Sequence, residues 1–84
     1  MASIHDISMA ILSFLRENRS KFIYNVCQDE ELIKVTPKYL SRMLRVDAPL
    51  IGRAIHVLKD RGYIRIVEYS GRKKKPYYII KLVR

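Results

Sequence analysis

The side chains with the clearest chemical potential in this sequence are its cations, and they are concentrated in one part of the chain. Residues 1–35 contain four Lys or Arg and five Asp or Glu, a balance of −1, whereas residues 36–84 contain thirteen cations and three acids, a balance of +10. The net charge of +9 therefore arises from the second part. Such an asymmetry points to a polyanionic partner, most often nucleic acid, although a merely soluble basic protein is the plainer alternative.

Groups that could support catalysis or bind a metal are few. The histidines are His5 and His56, and neither is spaced with acids or with Cys27 in a metal-ligand pattern. The sequence has no Gly-rich phosphate loop and no nucleophile motif. A single cysteine allows no internal disulfide and favours a reducing, cytoplasmic setting. We therefore expect no enzyme activity, no catalytic residue, no metal site and no cofactor.

The element expected to position the cations is a helix-turn-helix at residues 36–62. Thr36 and Asp47 are suitable N-caps for two helices, Pro37 suits the first helical position, and Gly62 can end the second helix in the left-handed conformation. The apolar residues at helical spacing are Leu40, Met43 and Leu44 in the first helix and Ile51, Ala54, Ile55 and Leu58 in the second. An ordinary pair of core helices would give the same pattern.

The joint between these two helices is short. It consists of Arg45, Val46 and Asp47, and we expect Val46 to be the apolar residue packed beneath both helices.

A further helix is predicted at the start of the chain. Ser3 and Asp6 have the spacing of a capping box. The expected core stripe comprises Ile4, Ile7, Ile11, Phe14 and Leu15. Met9 and Leu12 fall outside this stripe, so we expect them to be exposed apolar residues or part of a subunit contact.

The segment between this helix and the helix-turn-helix is harder to interpret. Residues 18–21 look like a polar break, and the spacing of Phe22, Ile23, Val26 and Cys27 favours a short extra helix, with a strand as the alternative. Residues 29–31 are acidic and suggest a loop. Residues 32–35 are β-prone and predict a short edge strand.

The pattern after Gly62 becomes extended and predicts a β-hairpin. Residues 63–69 and 77–83 are rich in aromatic and β-branched residues, and a Gly-containing basic loop at 70–76 joins them. We expect the inward-facing side chains to be Ile64, Ile66, Tyr78, Ile80 and Leu82. Arg65 and Lys81 should then lie on the outer side.

The order helix, short strand, helix, helix, strand, basic loop, strand resembles the winged helix-turn-helix family of DNA-binding proteins over nearly the whole chain. The segment VDAPLIGRAIHVLKDRGYI is similar to the recognition helix and following strand of small bacterial and archaeal regulators. The resemblance implies an α+β fold, with a three-helix core, room for one extra short helix, and a small antiparallel sheet with a wing hairpin. We expect a single domain over residues 1–84, with the helix-turn-helix at 36–62 and the wing hairpin at 63–83.

The resemblance also implies which residues contact DNA. The second helix of the pair, residues 48–61, would enter the major groove, and the basic wing, residues 70–76, would grip the flanking backbone or minor groove. The implied DNA-binding residues are Ala48, Pro49, Leu50, Gly52, Arg53 and His56 on the recognition helix, Lys38 and Arg42 on the first helix, and Arg72, Lys73, Lys74 and Lys75 in the wing. Arg53 is the side chain there suited to a bidentate guanine contact, with a phosphate contact or an ion pair with Asp60 as alternatives.

Two features depart from the family's pattern. Many members have Gly where Arg45 stands, which affects the expected angle between the helices. The recognition face is also poor in hydrogen-bonding side chains, whereas base edges supply specificity and charge supplies affinity. The expected preference for DNA sequence is therefore loose, or it depends on DNA shape.

The expected function is double-stranded DNA binding by a transcriptional regulator, with no membrane partner and with a homodimer as the expected assembly. Leu12 and Met9, together with Tyr24 or Val83, are the apolar positions expected to pair two copies. The alternative is a ribosomal RNA-binding protein of the small subunit, a family with the same fold, and Val35-Thr36-Pro37 resembles its entry into the helix-turn-helix. That family's long basic amino-terminal tail is missing here. A purely protein-binding winged helix leaves the four wing cations unexplained.

Overall fold

In the computed structural model of this protein, pairs of helices alternate with pairs of strands along the chain. The structure describes residues 3–27, 30–71 and 74–83, with side chains except at 24–27 and 30. The elements are α1 (Ile4–Glu17), α2 (Arg19–Phe22), β1 (Ile23–Cys27), β2 (Glu30–Val35), α3 (Pro37–Leu44), α4 (Ala48–Asp60), β3 (Ile64–Ser70) and β4 (Tyr77–Leu82). The expected α+β class, with an antiparallel sheet, is confirmed.

Helix α1 begins as predicted and buries most of the predicted stripe, but it also buries Ser8 and Leu12. The Ser3 side chain accepts from the Asp6 backbone, and the Asp6 carboxylate accepts from the Ser3 backbone, which completes the capping box. The buried residues are Ile7, Ser8, Ile11, Leu12 and Leu15. Leu12 is fully buried, so the expectation that it is exposed or part of a subunit contact was wrong. Met9 is half-buried against the core. Ile4, which was expected in the core stripe, is 37% exposed.

The crossing of α1 over α4 explains why the buried face also includes Ser8 and Leu12. Ser8 is 1% exposed, and its hydroxyl donates to the carbonyl of Ile4 at 2.7 Å and contacts the carbonyl of Ala54 at 3.4 Å. Serine and alanine are small enough to let the two helices approach closely, and the hydroxyl is hydrogen-bonded, so its burial costs little. This face brings Leu12 into the core.

The segment before α3 differs from the sequence interpretation. The extra helix, α2, lies mostly in the expected polar break and ends at Phe22. The other residues of the expected helix, Ile23 to Cys27, form strand β1, the alternative that the pattern left open. β1 pairs antiparallel with β2, and β2 also pairs with β4. The expected edge strand is therefore an inner strand, and it begins at Glu30, in part of the expected acidic loop; Asp29 lies outside the described residues.

The predicted hairpin forms one side of the sheet, whose strand order is β1-β2-β4-β3. Ile64 pairs with Leu82, Arg65 with Lys81 and Ile66 with Ile80. This register agrees with the expectation that the apolar residues of the two strands share the inner side and the two cations share the outer side. A β-bulge then shifts the register between Ile66 and Glu68, and leaves Val67 52% exposed. Tyr78, Ile79 and Ile80 are all buried.

The two central helices have the predicted bounds. Thr36 caps α3 by accepting from the Tyr39 backbone at 3.2 Å. Asp47 precedes α4 but makes no side-chain capping bond, contrary to expectation. In α4 the residues that face the core are the predicted Ile51, Ala54, Ile55 and Leu58. In α3 Leu40 is buried and Leu44 half-buried, as expected. Met43 is 50% exposed, so its expected place on the inner face was wrong, whereas Pro37 is buried.

The joint between α3 and α4 contains an unusual backbone conformation. Arg45 has φ 57° and ψ 45°, in the left-handed region, and Val46 is half-buried against the core as expected. Gly62 takes φ 80° after α4, as predicted. Left-handed geometry costs a side-chain-bearing residue about 1–2 kcal/mol, whereas glycine adopts it freely.

We expect Arg45→Gly to stabilise the protein. Relief of the left-handed strain should exceed the extra flexibility of glycine in the unfolded chain, for a net gain of about 0.5–1 kcal/mol. Urea denaturation would measure this gain. Arg45→Ala is the control, since it removes the guanidinium and keeps the strain. Equal stabilities of the two variants would show that the backbone at this joint is unstrained.

Candidate nucleic-acid interface

Cations from two separate elements line one groove on the surface. The groove has a volume of about 340 Å³ and lies between α3 and the segment that precedes β4. Its lining residues, which together we term the basic groove, are Thr36, Lys38, Tyr39, Arg42, Lys74, Lys75 and Pro76. The structure thus brings together four of the predicted DNA-binding residues. Arg72 and Lys73, the other two predicted in the wing, lie outside the described residues.

The sheet sets the width of the basic groove. β2 runs directly into α3 through Thr36, and Val35 pairs with Tyr78 of β4, two residues after Pro76. The pairing of β2 with β4 therefore holds the start of α3 beside the end of the basic loop. On α3, Lys38 and Arg42 are four residues apart and share a helix face.

The charges of the basic groove are exposed to solvent. All four cations are exposed, namely Lys38, Arg42, Lys74 and Lys75. No acidic residue lines the groove. Two of the acids in residues 36–84 have partners elsewhere: Asp60 lies 3.7 Å from the Lys59 amine, and Glu68 accepts from the Tyr77 hydroxyl at 2.9 Å. Four unneutralised cations around one groove create a local positive potential that attracts phosphate.

The exposed side of α4 forms a second concave surface, of about 620 Å³. Its lining residues, which together we term the α4 face, are Ile4, Pro49, Leu50, Gly52, Arg53, His56 and Val57. The residues of α4 that were predicted to contact DNA are therefore exposed or partly exposed. Ala48 is exposed at the helix start, and Leu50 is partly exposed. Ile4 and Val57 were not predicted to lie on this face. Ile4 had been assigned to the core stripe of α1.

The α4 face is mostly apolar. Arg53 and His56 are its polar side chains, and both are exposed. Asp60 lies beside the Lys59 amine, and among the described residues no ion pair joins it to Arg53, the alternative that the sequence left open. Arg53 is thus available to a partner.

Tyr78 joins the α4 face to the strand that follows the basic groove. Its hydroxyl lies 3.7 Å from the position that a Cβ on Gly52 would take, and its ring packs edge-on against His56, with centroids 5.9 Å apart. Tyr69 packs against its other side, at 4.7 Å. Burial, and to a lesser extent the neighbouring Tyr69, raises the pKa of Tyr78 above its ordinary value. Sequence reasoning placed Tyr78 in the core and missed this contact with α4.

Among the residues that the structure describes, the remaining titratable groups form no recognisable catalytic arrangement. His5 contacts the Arg61 guanidinium at the surface, far along the chain from His56. Within the described part of the chain, no three His, Cys, Asp or Glu residues are grouped so as to hold a metal ion. In the same part, no helix is long and apolar enough to cross a membrane.

Comparisons of this chain with protein-family models, with curated proteins and with solved structures found no match. Functional conclusions therefore depend on the chemistry of the basic groove and the α4 face.

Proposed function

We propose that this protein is a winged helix-turn-helix DNA-binding protein that acts as a transcriptional regulator rather than as an enzyme. In this proposal α4 enters the major groove of duplex DNA, and the basic loop at residues 70–76 contacts the flanking backbone or minor groove. The observation that carries it is the basic groove, in which four exposed cations from α3 and from the basic loop meet without an acid. Such an arrangement suits the regularly spaced phosphates of a nucleic acid backbone.

The α4 face supports a limited form of sequence readout. Arg53 can donate two hydrogen bonds to the O6 and N7 atoms of a guanine. Pro49, Leu50 and Gly52 can offer only shape and apolar contacts. Affinity then comes mainly from phosphate contacts, and sequence preference from Arg53 and from the shape of the DNA.

Binding to ribosomal RNA is the second candidate, because the same cations would also bind an RNA backbone. Major-groove readout favours DNA, since the deep, narrow major groove of A-form RNA excludes a helix such as α4. Because the two candidates share this fold, an exposed α4 is expected in both, and a direct competition between duplex DNA and structured RNA must distinguish them.

A selection of bound sequences from random DNA duplexes, with a structured RNA as competitor, tests the proposal. We expect DNA to remain bound at equal concentrations of the two nucleic acids, and the selected duplexes to share at least a short G-containing preference. Displacement of the DNA by structured RNA at equal concentration would instead favour the ribosomal function.

We also propose that two copies pair on DNA, since symmetric half-sites are the usual way for a small helix-turn-helix domain to gain affinity. Leu12 is buried and cannot pair copies, and Met9 packs largely inside. Val83, at 53% exposure, remains available; the side chain of Tyr24 lies outside those described. Sedimentation at micromolar concentration should show a dimer, free or on a palindromic duplex. A monomer in both cases would contradict the pairing.

A further inference from the structure

The basic groove contains an aromatic ring that phosphate binding alone does not require. Tyr39 lies between Lys38 and Arg42 in sequence and lines the groove with them. It remains 42% exposed. The hydroxyl of a tyrosine can donate to phosphate, but its exposed ring also offers a flat face that no phosphate contact uses.

The Tyr39 ring is held in place from one side. It packs edge-to-face against Phe22, with centroids 5.6 Å apart and planes at 76°, and Phe22 in turn lies 5.8 Å from Phe14 of α1. This row of aromatic rings anchors Tyr39 to the body of the protein. An anchored ring loses little conformational freedom when a ligand packs against it, which favours binding.

Cations around an exposed aromatic ring are the combination that binds unpaired nucleotides. The cations follow the backbone, and a base stacks on the ring whatever its sequence, because every base has a π-face. A volume of about 340 Å³ lies at the lower end of the range for small-ligand sites, so the groove has room for one unpaired nucleotide beside the backbone of a bound duplex.

We propose that the basic groove accepts an unpaired nucleotide of DNA next to the bound duplex, with its base on Tyr39 and its flanking phosphates between Lys38 and Arg42 on one side and Lys74 and Lys75 on the other. The protein would therefore prefer duplexes that carry a single-stranded extension. This inference rests on the proposed DNA binding and specifies a DNA structure that the basic groove recognises.

Fluorescence anisotropy with three labelled DNAs tests the inference. They are a blunt duplex, the same duplex with a thymidine extension, and the same duplex with an abasic extension that has equal phosphates and no bases. We expect the thymidine extension to bind about 5- to 150-fold more tightly than the abasic one, the range for one stacked base. Equal binding of the two extensions by the unmodified protein would overturn the inference.

Variants at Tyr39 identify the ring as the cause. Tyr39→Ala should bring the ratio of thymidine to abasic affinity close to one, whereas Tyr39→Phe, which keeps the ring, should preserve it. Met43→Ala is the matched control, because Met43 is exposed on the same helix but does not line the groove. A ratio that survives Tyr39→Ala in a protein with unchanged circular dichroism would also overturn the inference.

The blunt duplex separates this inference from the proposed function. Tight binding to the blunt duplex with equal affinities for the two extensions would leave the regulator function standing and refute the role of Tyr39. Failure to bind the blunt duplex, with a preserved thymidine preference, would refute duplex binding and leave the groove as a single-strand site.

Discussion

Simultaneous replacement of Lys38, Arg42, Lys74 and Lys75 by alanine should weaken binding to duplex DNA by up to about 10³–10⁴-fold in about 0.1 M salt. Each phosphate that a cation neutralises releases counterions and contributes about 0.9 to the slope of log affinity against log salt, so four contacts contribute up to about 3.6. Salt titrations of both proteins on one duplex would measure the change. The fold should survive, because all four side chains are exposed.

A second variant with the same loss of charge distinguishes the basic groove from the overall charge of the protein. Replacement of Arg16, Lys21, Lys59 and Arg65 by alanine removes four exposed cations that line neither the basic groove nor the α4 face. We expect only a small change in salt slope for this variant. If both variants lost the same slope, net charge alone would attract the DNA and the basic groove would have no special part.

Arg53→Ala should behave differently from either charge variant. If Arg53 contacts a guanine, the loss should be on the order of 1–3 kcal/mol at the preferred sequence and small at other sequences. An equal loss at every sequence would show that Arg53 contacts phosphate, and specificity would then depend on DNA shape.

The largest expected effect on stability comes from Leu12→Ala. Leu12 is fully buried where α1 crosses the core, so its truncation removes apolar contacts and leaves a cavity, at a cost of about 2–5 kcal/mol. For a domain of 84 residues the whole free energy of unfolding is on the order of 4–13 kcal/mol, so this variant should be close to unfolding at body temperature. Urea denaturation at low temperature would measure the loss.

Met43→Ala provides the comparison, because it also shortens an apolar helical side chain, but one that is 50% exposed. Its cost should stay within about 0.5 kcal/mol, the usual range for surface positions. A similarly small cost for Leu12→Ala would place Leu12 at the surface and restore it as a candidate for contact between two copies.

The comparison of α4 with α1 shows what the sequence could predict. In α4 the apolar spacing, the start after Asp47 and the stop at Gly62 agree, so the bounds and the buried face were both correct. In α1 two overlapping stripes have helical spacing. The buried stripe includes Ser8, a polar residue whose hydroxyl is bonded to the Ile4 carbonyl and lies against Ala54 of α4, a contact that the spacing of apolar residues does not indicate.

The pairing of strands that are distant in sequence accounts for the other differences between the prediction and the structure. The short apolar run that became β1 is compatible with a helix or a strand, and its pairing with β2 decides for the strand. The cations of α3 and of the basic loop were each predicted to contact DNA. That they form one groove follows from the pairing of Val35 with Tyr78, residues far apart in the chain whose register no local pattern specifies. The position of Tyr39 in this groove was missed for the same reason.

The β-bulge at Val67 affects whether another chain can add a strand to this edge of the sheet. β3 is at the edge of the sheet, where a regular strand presents a continuous row of backbone donors and acceptors to any passing chain. The shifted register between Ile66 and Glu68 interrupts this row, and Arg65 and Glu68 add charges along the strand. An incoming strand cannot match its hydrogen bonds across the bulge, so this edge is a poor template for a growing cross-β ladder.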